Sequence, residues 1–325
     1  ANQSSPQAAP VVMLESVHFR KEYGKFVAVK DLNLRVHKGD LFGFIGPNGA
    51  GKTTTIKTLA TLLRPTHGDA LVGGHSVRSN PQAIRRMIGY MPDFFGTYEE
   101  MRVTEYLEFF AAAYQIPSSR RTKTVQDVLD LTDLGHKRDT YVRGLSRGMQ
   151  QRLGVARVLV HDPQVLLLDE PASGLDPRAR IEMRALLKEL QRMGKTILIS
   201  SHILTELAEM CNAIGIIERG ELLYQGPVRD IVKRLRRGGS YDVDVAERRE
   251  EAARALERHP DVLRAELATT DTGDPFIRVR LIEGRDDPSV LAKHLIDQGF
   301  RLTLLKEEDL DLEDVFLQVT KGIVG

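Results

Sequence analysis

Cysteine is nearly absent: among 325 residues only Cys211 carries a thiol. One thiol excludes an internal disulfide framework and suits a reducing compartment. Cys211 follows Met210 in a helical pattern, which reads as a core or groove position rather than a nucleophile. Net charge is nearly absent too, at +1. No bulk electrostatic force therefore draws the chain to nucleic acid or anionic lipid, although a local basic patch stays possible. Long apolar runs are missing, and none approaches the length of a membrane-spanning helix. The first residues lack the charged-then-apolar order of a secretory leader. The expectation is a chain on the cytosolic side that does not itself cross a bilayer. What is present, 42% apolar and 28% charged residues, describes a folded globular protein. The length favours two domains.

The most informative stretch is Gly46-Pro47-Asn48-Gly49-Ala50-Gly51-Lys52-Thr53-Thr54. An apolar run, 41–45, precedes it, and a helical pattern, 55–63, follows. Strand, glycine-rich turn and helix form the context in which G-x-x-x-x-G-K-[ST] cradles phosphate. Glycines let backbone N–H groups converge on phosphate oxygens, and the helix aims its free N–H groups and dipole at the same anion. Lys52 is suited to reach the β- and γ-phosphates, and the Thr53 hydroxyl to ligate Mg²⁺. The expected ligand is a nucleoside triphosphate.

Ahead of this loop, 11–19 and 33–36 alternate like strands, with a turn signal at 21–24 that contains Tyr23. After it come a short strand at 70–72 and an apolar segment, 84–91, leading to Pro92-Asp93-Phe94-Phe95. Helical spacing then runs through 103–114 and 124–131, broken at Pro117. Leu145-Ser146-Arg147-Gly148-Met149 opens a helix that runs to about residue 161. The run 165–168 has the continuous apolar character of a buried parallel strand and ends in Asp169-Glu170. A loop, 171–176, leads to an amphipathic helix at 178–192, a strand at 195–200 and Ser201-His202. A helix to about Cys211 and strands at 213–218 and 221–224 complete a mainly parallel α/β pattern. A basic, glycine-containing linker at 234–240 separates this from a βαββαβ pattern, closed by a helix at 312–320. That order predicts a ferredoxin-like fold.

Strand ends are where open α/β sheets place their ligands. Asp169 is suited to hold Mg²⁺ directly or through water, Glu170 to polarise an attacking water, and His202 to hydrogen-bond a γ-phosphate. Over residues 11–236 the motifs and their order resemble the nucleotide-binding subunit of ATP-binding cassette (ABC) transporters. Gly46–Thr53 is similar to the Walker A loop and 165–170 to the Walker B strand. Ser173-Gly174-Leu175-Asp176 resembles the D-loop, and His202 the switch histidine. Tyr23 falls where the family places an adenine-stacking aromatic. Leu145–Met149 occupies the slot of the Leu-Ser-Gly-Gly-Gln signature.

The resemblance implies an α/β P-loop NTPase of the ABC type, with a parallel core sheet, antiparallel N-terminal strands and a helical subdomain at about 88–162. We place a flexible tail at 1–10, the ATPase domain at 11–236 and an α+β ferredoxin-like domain, regulatory or dimerising, at 237–325. It further implies ATP and Mg²⁺ as ligands, with Thr53, Asp169 and Asp93 as metal-side residues. Two subunits, alike or different, would meet head to tail, each ATP lying between one Walker A loop and the other's signature. Two departures stand out: Asp93 replaces the family's usual glutamine, and Arg147 and Met149 alter the signature. The C-terminal module, with 312–317 at its end, resembles the extension on ATPases of ABC-2 type exporters. A separate polytopic permease at the cytoplasmic face of the membrane is the implied partner. A mechanotransmitter that moves a membrane protein without transport is one alternative. A soluble ATPase on ribosomes or DNA is another, disfavoured by the single cassette and the lack of heptad arrays or cysteine clusters.

Overall fold

The computed structural model describes residues 10–94, 96, 98–230, 239–270, 273–282, 284–285 and 287–307. The chain forms two compact units that divide between Val228 and Arg229. Residues 1–9, Phe95, most of the expected linker and the expected closing helix at 312–320 lie outside the described residues.

The first unit opens with β1 (Val12–Tyr23), β2 (Phe26–Leu32), β3 (Arg35–His37), β4 (Leu41–Ile45) and α1 (Lys52–Leu59). Next come β5 (His67–Val72), β6 (His75–Ser76), α2 (Pro81–Met87) and β7 (Ile88–Met91). Three helices follow, α3 (Val103–Ala113), α4 (Ser118–Leu131) and α5 (Arg147–Leu159), inserted before β8 (Val165–Asp169). The unit closes with α6 (Pro177–Arg192), β9 (Thr196–Ser201), α7 (Leu204–Ala208), β10 (Ala213–Glu218) and β11 (Glu221–Pro227).

The central sheet runs in the order β11-β10-β4-β9-β8-β7. All its pairings are parallel except β10 with β11. Helices cover both faces of such a sheet, so its strands need no polar alternation. Val165, Leu166, Leu167 and Leu168 are each 0% exposed, and each contributes roughly 2 kcal/mol of gross burial energy. The order sets β4, β9 and β8 side by side, so their carboxyl ends share one crevice.

A second, antiparallel sheet is built around β1, which pairs with β2, β3 and β5. Here the sequence expectation needs correction. The turn expected at 21–24 is instead the last part of β1, and the chain reverses at Gly24-Lys25. Gly24 adopts φ 59 there, and Tyr23 pairs directly with Phe26 on β2. A two-residue hairpin needs positive φ, which Gly24 supplies. The helix after His202 is also shorter than expected, ending at Ala208.

Cys211 is buried behind the central sheet, where a Cβ on Gly43 of β4 would lie 3.2 Å from its Sγ. Burial pushes the thiol well above its usual pKa. It is a packing residue, not a reactive one.

The second unit has β12 (Ser240–Val245), α8 (Arg249–Glu257), β13 (Val262–Thr269), β14 (Pro275–Leu281), α9 (Ser289–Asp297) and β15 (Leu302–Glu307). Its sheet is antiparallel in the order β13-β14-β12-β15. Alternate residues Tyr241, Val243 and Val245 meet Ala252, Leu256, Leu291 and Leu295 of the helices in one core. This is the ferredoxin-like arrangement.

Candidate active site

The loop after β4 is shaped by steric necessity. A Cβ on Gly46 would lie 2.2 Å from the Ile217 carbonyl oxygen, and Gly51, at φ 108, would place one 2.8 Å from that of Ala28. Only glycine lets the loop lie this close to β10 and β2 and then enter α1. The free N–H groups at the start of α1 face the same cleft.

Lys52 is the first residue of α1 and is 6% exposed. Its Nζ donates to the carbonyl oxygens of Gly46, at 2.5 Å, and Pro47, at 3.2 Å. It lies 3.7 Å from Glu170 Oε1. Burial lowers its pKa, and the charges of Glu170 and Asp169 oppose that shift.

The carboxylate pair at the end of β8 is held from β9. Ser200 Oγ donates to Asp169 Oδ1 at 2.5 Å and accepts from the Glu170 backbone N–H at 3.0 Å. One hydroxyl thus fixes the acidic side chain before the turn and the backbone after it. Glu170 sits at φ 51, a left-handed conformation that costs a glutamate about 1–3 kcal/mol. That turn directs the carboxylate into the cleft, where Oε2 lies 3.0 Å from His202 Nδ1. Lys52, Glu170 and His202 form a connected row at three adjacent strand ends.

The cleft is lined by Asn48, Gly49, Ala50, Gly51, Lys52, Thr53 and Thr54, with Glu170, Ser173 and His202 opposite. Tyr23, Phe26 and Ala28 form its wall on the hairpin side, and Asp93 reaches it after β7. Tyr23 and Phe26 are 46% and 62% exposed, so two aromatic faces stand open at the mouth. The sequence marks neither Phe26 nor Ser200. Phe26 becomes visible only through the hairpin register, and Ser200 only through its bonds to Asp169 and Glu170.

Gly46, Pro47 and Asp169 are not among the lining residues of the cleft. Leu145–Met149 do not line it, nor do Gly174, Leu175 and Asp176. They lie at the starts of two other helices. Ser146 caps α5, its Oγ accepting from Met149 N–H at 3.3 Å. Asp176 caps α6, accepting from Ala179 N–H at 2.8 Å, with Pro177 at the first helical position.

Among the described residues, no group of three or more His, Cys, Asp or Glu is arranged to hold a metal. Mg²⁺ does not need one, because it takes one or two protein oxygens and completes its shell with water and substrate phosphates. The Thr53 hydroxyl and the Asp169 and Asp93 carboxylates are oxygen donors of that kind.

Comparison with known proteins agrees with this geometry. A family model described as ABC transporter matches residues 29–173. The bacitracin transport ATP-binding protein BcrA of Bacillus licheniformis is 34% identical over 95% of this chain and 98% of its own length. The Nod factor export ATP-binding protein I of Cupriavidus pinatubonensis is 37% identical over 70% of each chain. Among solved structures, cbiO1 of Clostridium perfringens, part of the ABC transporter complex cbiONQ, covers 77% of this chain and 96% of its own. It is 26% identical, with a TM-score of 0.63. A dimeric bacterial ABC transporter cassette superposes with a TM-score of 0.60 at 25% identity, covering 67% of this chain and 99% of its own. The P-loop cleft, the carboxylates at the end of β8 and these relatives together identify the chain as a member of the ABC transporter ATP-binding family, and its activity as that of an ATPase.

Proposed function

We propose that two copies of this cassette, or this chain and a similar one, close head to tail around two ATP and drive a separate membrane permease in export. The observation that carries this reading is the division of the site. One cleft gathers the P-loop, Glu170 and His202, while Ser146, Arg147 and Gly148 stand apart from it at the start of α5. The second set has the chemistry to cap a γ-phosphate: a hydroxyl, backbone N–H groups and a helix N-terminus. A cleft open on one side and a capping helix elsewhere call for a second cassette.

In the closed site the Lys52 ammonium leaves its two carbonyl partners and takes up β- and γ-phosphate oxygens. Glu170 accepts a proton from, and orients, the attacking water for in-line displacement, and His202 donates to the γ-phosphate. Its bond to Glu170 keeps base and donor in register. Thr53, Asp169 and Asp93 would hold Mg²⁺, which would supply positive charge against the phosphates. The partner's Ser146 and Gly148 would supply donors preorganised for the charge that develops. Tyr23 and Phe26 offer the adenine ring two surfaces for stacking. Closure on ATP and opening after hydrolysis make the site a switch.

No helix among the described residues is long and apolar enough to cross a membrane, and in this reading the permease is a separate chain, with this one at its cytoplasmic face. The surface after β7 suits that contact. Phe94, Tyr98 and Phe109 are 87%, 53% and 46% exposed, and the Tyr98 and Phe109 rings meet edge to face at 5.5 Å. Solvent-exposed aromatics in one place mark a docking surface rather than a core. The export direction rests on a relative named for Nod factor export, and the transport role also on one named for bacitracin transport.

The test is native mass spectrometry on complexes captured by a tagged Glu170→Gln chain from detergent-solubilised membranes. A polytopic permease with two cassettes is the expected result. Recovery only from the soluble fraction, on ribosomes or DNA, overturns the exporter reading and leaves the ATPase assignment standing.

A further inference from the structure

Gly174 lies in the loop between Glu170 and α6, at φ 66. A Cβ built there would lie 2.6 Å from Arg147 Cζ, 2.7 Å from Nη2 and 3.0 Å from Nη1. Three nearly equal distances mean that the flat face of the guanidinium lies against this glycine at the exposed surface. Among the described residues Arg147 forms no hydrogen bond or ion pair, so the contact is one of shape. The next residue repeats it: a Cβ on Gly148 would lie 2.7 Å from Ala179 Cβ on α6. Further along, Arg152 on α5 pairs with Glu182 on α6 at 3.4 Å. The first turn of α5 thus meets the loop before α6 at Gly174 and the first turn of α6 at Gly148.

We propose that Arg147 is a positioning residue that clamps this loop to the signature helix, so that the two nucleotide sites of the dimer are coupled through one chain. The inference rests on the head-to-tail reading above. The loop begins at Glu170, the base of the chain's own site. The helix it is clamped to caps the partner's ATP. A shift of the Glu170 loop when its own nucleotide reacts is therefore passed to the signature at the other site. Coupling needs such an element, one whose position both sites bias, and it appears as cooperativity between them. A glycine in the signature's third position would leave Gly174 uncovered and the loop free to move alone.

The test measures ATPase rate against ATP concentration for the full chain, Arg147→Ala and Arg147→Lys. Lysine keeps the charge and loses the plane. The expected wild-type response is sigmoidal. In Arg147→Ala the Hill coefficient falls to about one and maximal turnover drops roughly fivefold, with Arg147→Lys restoring neither. Full restoration by lysine would assign Arg147 to direct phosphate contact and overturn the clamp. So would a non-cooperative wild type, or an Arg147→Ala chain with unchanged cooperativity. Sedimentation of the Glu170→Gln chain with ATP separates the two readings. If that chain binds ATP and stays monomeric, two copies of it do not close head to tail, and the clamp between their sites falls with that form of the reading. If it dimerises while Arg147→Ala behaves as wild type, only the clamp fails.

Discussion

The two units of this chain use the same elements to opposite ends. In the first, parallel strands deliver Lys52, Asp169, Glu170 and His202 to one crevice, and their arrangement is costly. Lys52 is buried against its own charge, and Glu170 is held at positive φ. In the second, charged residues sit beside their own partners, across two strands, along one strand or between a strand and α8. Arg278 pairs with Asp242 at 3.1 Å, Arg264 with Glu266 at 2.7 Å, and Arg249 with Asp244. Polar groups aimed into shared space at a cost belong to chemistry; polar groups matched within the sheet belong to structure. Substitutions that carry the same charge change should then have very different consequences in the two units.

The largest effect is expected at Glu170. Glu170→Gln keeps the size and the bond to His202 but removes the base, so turnover should fall roughly 100-fold or more while ATP binding persists. Phosphate release and equilibrium nucleotide binding, measured on the same protein, check both halves. Retained turnover would remove Glu170 from the role of base.

Gly51→Ala comes next. It places a Cβ 2.8 Å from the Ala28 oxygen at φ 108, a strain of about 1–3 kcal/mol in a loop that must face phosphate. ATP affinity should fall roughly tenfold or more, and the melting temperature should drop slightly. Gly273 of the second unit, at φ 87 with nothing within 4 Å of a Cβ, is the matched control. Its alanine variant carries the backbone strain alone and should leave ATP affinity unchanged.

Asp93→Gln is expected to act in the opposite direction. Asp93 lines the cleft within the same cavity as Glu170. A carboxylate there adds repulsion to an anionic substrate and an anionic base. Glutamine keeps an oxygen donor, removes the charge and is longer by one methylene. Turnover should rise a fewfold, and unchanged or lower turnover in matched protein counts against this account of Asp93.

The ease with which each feature can be read from the sequence follows the same division. The P-loop and the Asp169-Glu170 pair are legible because phosphate chemistry demands fixed residue types at fixed spacing. The βαββαβ pattern is legible because Tyr241, Val243 and Val245 alternate with Asp242 and Asp244, although the strand order is not. The hairpin carrying Tyr23 is obscured because Lys21 and Glu22 look like turn residues, and only pairing with β2 makes them strand. Ser200 carries no signal, since its role lies in two hydrogen bonds across to β8. Arg147 is visible as a departure from a signature, but its cover of Gly174 is a tertiary contact between segments far apart in sequence.

The smallest effect is expected in the second unit, at Asp244. Its carboxylate accepts from both Arg249 nitrogens and from its own neighbour's backbone, Val245 N–H, at 2.8 Å. The Arg249 hydrogen bond is the main cause that holds its pKa below the ordinary 3.8. A depressed folded-state pKa contributes stability that is fully present above the unfolded value and lost as pH falls through the folded one. The window therefore lies below about pH 4, well below neutral pH. The pair is partly exposed, at 23% and 35%, so solvent screening keeps its contribution small. Asp244→Asn should lower the unfolding midpoint of the second unit by a few degrees at pH 7 and by less at pH 3, with ATP turnover unchanged at neutral pH. Thermal melts at both pH values, run beside the ATPase assay, check it. A large loss of turnover from this substitution would break the contrast between the units, because it would give a matched structural pair a part in the chemistry.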